Sequence, residues 1–539
     1  MGMFLNSKAP YETYKKVIQN PYFVDKTLLL TELMPYFGSI NCYCCITRPR
    51  RFGKTIMADM IGAFFGRTDS ADKIFDDLAI SGQEEYKAHL NSHDVIYIDF
   101  SRAPKGCRSY AEYIDRIETG IIRDLTAAYE DCGIEADDPV WDALCKIYEQ
   151  TDNKFVFVLD EWDAVFHMPF ISRENQWDYL LFLKWLFKDQ PYTEFVYMTG
   201  VLPIAKYSSG SELNMFVEYD MASSEKFSEY FGFSDKEVDV LYGIYKKRAG
   251  VCKFSREELR IWYDGYYTAT GVRLYNPRSV VLALTDGQLR NYWTSSGPYD
   301  ELFYYIRHNI EAVRDDLAFM VSGGGVPADI GQYTASSMEI DSREQIYSAM
   351  VVYGLLTYKD GEVLIPNKEL MDKYNELLLS RESLGYVYNL AKKSEHMLQA
   401  TIAGDTKVME EILQFAHNTE SPIFSYNSET ELAAVVNLCY LSARNKYRIE
   451  REEKAGKGYV DFIFYPERKN SDCIILELKV DSTPEEAIAQ IKDKNYGLRF
   501  EGKLGEKTGY TGRVLAVGIS YSKETKEHSC RIEVLKTFH

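Results

Sequence analysis

The stretch RPRRFGKTIMADM, Arg48–Met60, decides how the first half of the chain is read. A phosphate-binding loop runs G-x-x-x-x-G-K-[ST] between a strand and a helix. Gly53, Lys54 and Thr55 supply its last three positions, but Arg48 stands where the first glycine belongs, followed by Pro49, Arg50 and Arg51. Upstream, NCYCCIT is an apolar run of strand length. Downstream, TIMADMIGAFFG carries apolar residues at helical spacing. Strand, loop, helix is the context the motif needs, because N–H groups at a helix start, aided by the dipole, hold phosphate oxygens. Lys54 is placed to reach the β- and γ-phosphates of a nucleoside triphosphate, and Thr55 to put its hydroxyl on Mg²⁺. Arg48 cannot act as a tight-turn glycine and Pro49 donates no N–H. The loop is therefore expected to use fewer backbone donors and more guanidinium charge. Arg50 or Arg51 is available for a bidentate phosphate contact, with a solvated or ion-paired arginine as the bland alternative.

Working outward, DVIYIDF, KFVFVLDEWD and EFVYMTGV repeat the pattern of nearly continuous apolar runs separated by helical stretches. Such runs fit central parallel strands covered on both faces, so the first 223 residues read as an α/β sheet. FVFVLDEWD ends in Asp160 and Glu161. A carboxylate at the end of a buried strand can hold a Mg²⁺ shell, the place expected for Asp160, while Glu161 can polarise an attacking water. EFVYMTGV ends in Thr199, a polar side chain placed to sense a γ-phosphate.

At 539 residues the chain is too long for one core. Its formal net charge of −19 excludes a surface coated for nucleic-acid binding, though not a local basic groove. Cys42 and Cys45 have C-x-x-C spacing, but no second pair or histidine set completes a zinc site, so a buried strand is the expectation. MGMFLNSKAPYETYKK lacks the apolar core of a secretory signal, and no run reaches the length of a membrane helix. A reducing cytoplasm fits best.

From 224 to 420 the pattern is mostly helical, as in SDKEVDVLYGIYKKR and REQIYSAMVVYGLL. GLLTYKDGEVLIP reads as a hairpin turning at Asp360-Gly361. A lid or winged-helix-like segment is expected here, and the aromatic cluster of WYDGYYTATGVRLYNPRSV is read as core or interface.

From 421 to 539 the chain is α/β again, with a helix in SETELAAVVNLCYLSARN, strands in YVDFIFYP, CIILELKV and RVLAVGISYS, and a helix in TPEEAIAQIKDKNYG. Residues two apart on a strand share a face, so Glu477 and Lys479 of ILELKV project together. If the strands YVDFIFYP and CIILELKV pair as a hairpin-like unit, Asp461 meets Glu477 across the ladder. Two carboxylates can then hold a divalent cation with a lysine beside it, which is equipment for metal-assisted phosphodiester hydrolysis. Mg²⁺ suits such oxygen ligands. Taken alone, D…E-x-K is common on exposed strand faces; the flanking helices, bearing Glu429 and Glu431 before and Gln490 after, shift the weight. ARNKYRIEREEKAGKGY and IKDKNYGLRFEGKLGEKTGYTGR bring lysine, arginine and tyrosine near, types that contact phosphates and stack on bases.

YFVDKTLLL, RPRRFGKT, VLDEWDAV, MTGVLPIAKY and LNMFVEYDM resemble the AAA-ATPase-like domain found mainly in bacteria, as do WYDGYY and YNPRSV further on. GKGYVDFIF, ILELKV and AIAQIKDKNYG resemble the PD-(D/E)xK nuclease-like domain that commonly follows it. The resemblance implies that the arginine-rich loop is the family's usual form of the motif. It also implies that Asp461 and Glu477 are the metal carboxylates and Lys479 the accompanying lysine. Glu429, with Glu431 a close rival, matches the helical glutamate, and Gln490 the motif of the last helix.

The expected architecture is α/β and multidomain: a P-loop NTPase-like parallel sheet over 1–223, a helical middle region over 224–420 and a nuclease-like domain over 421–539. The expected cofactors are ATP and Mg²⁺. The expected partner is nucleic acid, DNA before RNA, with self-association left open and no membrane partner. The expected activity couples ATP hydrolysis to Mg²⁺-dependent phosphodiester cleavage. The alternative is a nucleotide-switched binding protein whose nuclease-like domain is inactive. Arg278 in YNPRSV is a candidate arginine finger.

Overall fold

The computed structural model describes residues 2–68, 72–204, 212–293, 310–330, 342–417, 428–455, 458–495, 497, 500 and 509–537. The chain forms two compact units, one from 1–302 with 328–369, the other from 303–327 with 370–539. The 224–420 stretch thus contributes to both.

In the first unit, β1 (Tyr43–Thr47), β2 (Asp94–Asp99), β3 (Phe155–Asp160), β4 (Thr193–Gly200) and β5 (Val217–Tyr219) make one sheet in the order β2-β3-β4-β1-β5. Every neighbouring pair is parallel. The near-continuous apolar runs are explained by two cores, one on each face. Phe157 and Leu159 of β3, with Val196 and Met198 of β4, enter one core. Val156 and Val158, with Phe195 and Tyr197, enter the other, against helices Lys8–Ile18 and Lys54–Phe65. The same alternation sends Cys44 to one face and Cys45 to the other. Cys42 shares the face of Cys44, so the C-x-x-C pair does not converge. All ten cysteines are free thiols.

Because β4 lies between β1 and β3, the loop after β1 and the acidic end of β3 flank the end of β4. Beyond the sheet, helices Asp235–Ala249, Arg256–Tyr263 and Pro277–Asp286 pack around Tyr245, Tyr263, Tyr275 and Tyr292. The aromatic cluster of the WYDGYY stretch is therefore core. Strands Thr357–Lys359 and Glu362–Leu364 pair antiparallel across Asp360 and Gly361. Both turn residues have positive φ, 52° and 88°, the geometry a two-residue hairpin turn requires.

In the second unit, strands Tyr447–Ala455, Gly458–Pro466, Cys473–Val480, Arg513–Tyr521 and His528–Thr537 form a mixed sheet in that order. Only the third and fourth are parallel to each other. The crossover between them carries helix Pro484–Asp493, whose Ile488 and Ile491 pack with Ile463, Ile475 and Val514. The helix lies so close to the sheet at Gly518 that a Cβ there would collide with the Pro484 carbonyl. Among the described residues no helix is long and apolar enough to cross a membrane.

Candidate functional site

The first candidate site grows from the start of helix Lys54–Phe65. Gly53 is left-handed at φ 91°, and no side chain caps the helix. Its first-turn N–H groups are therefore available to an anion. Arg48 is not among the left-handed positions, which fall instead on Arg51 (φ 72°) and Gly53. The loop has no need of glycine at its first position. The Arg48 side chain is buried and donates to the carbonyls of Thr47 and Tyr219, both at 2.7 Å, while its guanidinium lies over the Phe231 ring. Burial lowers its pKa to about 10. Arg48 thus braces β1 to β5 and is turned away from the role of phosphate ligand.

Lys54 is buried, its ammonium donating to the carbonyls of Arg48 (3.0 Å) and Pro49 (3.2 Å). Burial pulls its pKa below the usual lysine value, opposed by Glu161, Asp163 and Asp160. Asp160 ends β3 fully buried, pushed up to about 7 by burial and then by Glu161 and Asp99; the Thr55 hydroxyl bond and Lys54 pull the other way. Glu161 is left-handed at φ 52°, and such a non-glycine conformation is costly enough to mark a site. Its carboxyl is raised by burial against the pull of Lys54.

Arg50, Arg51, Gly53, Lys54, Thr55 and Glu161 line one cavity of about 620 Å³. The same cavity is lined by apolar Val17, Phe23, Val24, Phe233, Val281 and Leu282, and by Arg278. These distant residues carried no signal in the sequence beyond Arg278 in YNPRSV. The volume and a lining that combines basic and apolar side chains suit a nucleotide. Thr199 does not line the cavity; it is buried, its hydroxyl donating to the Ile46 carbonyl at 2.8 Å.

The second candidate site lies on the mixed sheet. The antiparallel register Phe462↔Leu476 brings Asp461 beside the Glu477 end of the neighbouring strand. Asp461 Oδ2 accepts the Leu478 N–H at 2.8 Å. Glu477 is buried. One of its oxygens, Oε1, accepts from Gln490 Nε2 and lies 3.5 Å from Lys479 Nζ. The other, Oε2, has no hydrogen-bond partner among the described residues. Lys479 also lies 3.7 Å from Glu429 at the start of helix Glu429–Cys439, where Ser428 accepts the Glu431 N–H. The structure therefore brings Glu429, Asp461, Glu477, Lys479 and Gln490 together. A buried carboxylate oxygen without a partner is the feature a divalent cation would satisfy, and Asp461 stands beside it on the neighbouring strand. Among the described residues no group of three or more His, Cys, Asp or Glu could hold a metal ion. Any cation here would rely on two carboxylates and water, as Mg²⁺ often does.

Burial, then the Asp461 charge, pushes Glu477 up to about 7, partly offset by Lys479. A carboxyl whose folded pKa exceeds its unfolded value binds its proton more tightly when folded. Wild-type stability is therefore lost as pH rises from the ordinary glutamate range through about 7. Without divalent ions, Glu477→Gln should melt higher than wild type at pH 8, with the gain vanishing near pH 4; equal melting points at pH 8 would contradict this.

Residues 11–209 match the family model described as predicted AAA-ATPase, and 428–527 match the PD-(D/E)XK nuclease superfamily. The chain thus carries an AAA-ATPase-like N-terminal domain and a PD-(D/E)XK nuclease-like C-terminal domain, as the sequence motifs led us to expect. It is similar to an uncharacterised protein in the vnfD 5′ region of Azotobacter chroococcum, at 23% identity over 96% of each chain. Among solved structures, a Walker-type ATPase of Pyrococcus abyssi aligns at 11% identity and a TM-score of 0.35, over 65% of this chain and 94% of that one. The ORC2 protein of Aeropyrum pernix, in ADPNP and ADP complexes, aligns at 12% and 0.27, over 70% and 96%. At these TM-scores neither likeness bears on function. Parts of the basic, tyrosine-bearing stretches expected near the second site, at 456–457, 496, 498–499 and 501–508, lie outside the described residues.

Proposed function

We propose that the protein binds and hydrolyses ATP in the 620 Å³ cavity and cleaves phosphodiester bonds of nucleic acid, DNA before RNA, at the Asp461–Glu477–Lys479 site. In this reading 1–223, together with the cavity-lining residues between Tyr230 and Leu282, binds the nucleotide, the rest of 224–420 is a mostly helical middle region and 421–539 is the cleaving domain, acting in a reducing cytoplasm. The triphosphate lies on the uncapped helix start, with Lys54, Arg50 and Arg51 around it, Arg278 at its end, and the base against the apolar lining. Thr55 and Asp160 would hold one Mg²⁺; Asp461 and Glu477 would hold another. Bound there, Mg²⁺ supplies charge neutralisation at phosphoryl oxygens and acidifies its water. Glu161 orients the water attacking ATP, while Thr199, its hydroxyl bonded to the Ile46 carbonyl outside the cavity, is left out of phosphate sensing. Lys479 offsets charge that develops on the cleaved phosphate, while Glu429 and Gln490 keep Lys479 and Glu477 aimed.

The observation that carries the cleavage reading is the partnerless Glu477 Oε2 beside Asp461. A second reading, a nucleotide-switched protein that binds nucleic acid or a partner without cutting, is favoured by the oxygens already engaged, Asp461 Oδ2 by Leu478 and Glu477 Oε1 by Gln490. Cleavage rates of wild type and Glu161→Gln, each with and without ATP, test the coupling. Bound but unhydrolysed ATP in Glu161→Gln should change cleavage by about tenfold, roughly 1.4 kcal/mol. Identical rates in all four conditions would remove coupling from the account.

A further inference from the structure

Glu369 is a fully buried carboxylate that no step above employs. It accepts from the Ser279 hydroxyl at 2.9 Å and from the backbone N–H groups of Tyr292 (2.6 Å) and Trp293 (2.8 Å). Its own carbonyl accepts from Asn291 Nδ2 at 2.7 Å. Two of these ties lead directly to the nucleotide cavity. Ser279 follows Arg278, a cavity residue, in the first turn of helix Pro277–Asp286. Trp293 donates its indole N–H to the carbonyl of Arg50, another cavity residue, at 3.3 Å.

The charges agree with the geometry. Arg51 sits among like charges: burial, Arg278 and Arg50 lower its pKa, while Glu369 raises it. Burial pushes Glu369 up to about 7, opposed by the Trp293 N–H, the Ser279 hydroxyl, the Tyr292 N–H and the Arg51 charge; the phenols of Tyr263 and Tyr266 also feel its charge. Three guanidinium groups that line one cavity repel each other, and nearby negative charge keeps them in place. A buried carboxylate tied to the segments that carry two of them supplies that charge and leaves them arranged for a polyphosphate.

We propose that Glu369 is a positioning residue of this site: it anchors Ser279 and the Tyr292–Trp293 segment and holds Arg51 and Arg278 over the place where the triphosphate binds. The inference rests on the ATP-binding reading of the cavity.

A double-mutant cycle on the affinity of a fluorescent ATP analogue with Mg²⁺ tests it, using the full chain, wild type and the variants Glu369→Gln, Arg51→Gln and the pair. Glu369→Gln should weaken binding about tenfold in the wild-type background and less than about twofold once Arg51 is gone. Glu369→Asp, which keeps the charge, should recover most of the lost affinity. A purely structural carboxylate would give the same loss in both backgrounds and no rescue by charge, and that result overturns the proposal. Unchanged affinity in Glu369→Gln overturns it as well. No binding by wild type itself would sink the ATP reading, a different outcome, since the cycle would then have no baseline. Should Glu369→Gln fail to fold, Ser279→Ala removes one tie while leaving the carboxylate; it should weaken binding about threefold, and unchanged affinity counts against the proposal.

Discussion

Replacing Lys54 by alanine should weaken binding of Mg²⁺-ATP by about 100-fold, or roughly 2.7 kcal/mol, while the protein stays folded. The affinity loss follows from geometry. Lys54 lines the cavity with Thr55 and Glu161, and its ammonium donates to the carbonyls of Arg48 and Pro49. Phosphate oxygens are stronger partners for a buried ammonium than two neutral carbonyls, so the lysine is held ready for an anion. Its loss also removes the buried cation acting on Glu161, Asp163 and Asp160, leaving Arg50 acting on Glu161. Asp160 and Glu161 are already raised by burial, and they can take up protons instead of forcing the fold open. Calorimetry gives the affinity and thermal melting the control. A folded Lys54→Ala protein with wild-type affinity would show that the triphosphate does not use this loop.

The second large effect is expected at Glu477. Glu477→Gln should lower Mg²⁺-dependent cleavage about 10³-fold, roughly 4 kcal/mol, and Asp461→Asn nearly as much. The amide keeps the shape of the side chain and a partner for Gln490, but it removes the charge from the oxygen pair beside Asp461. Mn²⁺ binding, followed by its paramagnetic effect on water relaxation, should weaken in parallel. Because ionised Glu477 is unfavourable in its buried position, the variant should bind metal less well and yet melt higher at alkaline pH. A mere loss of structure would move both readouts downward. Undiminished cleavage by a folded Glu477→Gln protein would contradict the assignment.

The parallel sheet was legible because strands buried on both faces are apolar along their interiors, and β1 to β4 are, with Asp94, Asp99, Asp160 and Glu194 kept to or near their ends. The central strands of the second sheet were legible for the same reason, and the two-residue spacing of Glu477 and Lys479 put both on one face. β5 escaped notice because Glu218 interrupts Val217–Tyr219; that carboxylate is half-buried in place, accepting from the Ile204 N–H and the Thr47 hydroxyl. His528–Thr537 alternates exposed charges with apolar residues along an edge of the sheet, so its strand pattern was weak. The apolar lining of the cavity brings Val17–Val24 together with Val281 and Leu282, residues more than 200 positions apart, which no local pattern encodes. Arg48 shows a further limit. Its sequence position asked whether the loop could work without its first glycine, and only the backbone shows that the left-handed turn sits at Arg51 and Gly53.

The most direct test of the account is a cleavage assay of the purified protein with Mg²⁺ or Mn²⁺ on single- and double-stranded DNA and RNA, run beside Lys479→Ala. The account predicts metal-dependent fragments from the wild-type protein on at least one substrate, abolished by chelation and absent with the variant. Intact substrates throughout, or equal cleavage by Lys479→Ala, would contradict it.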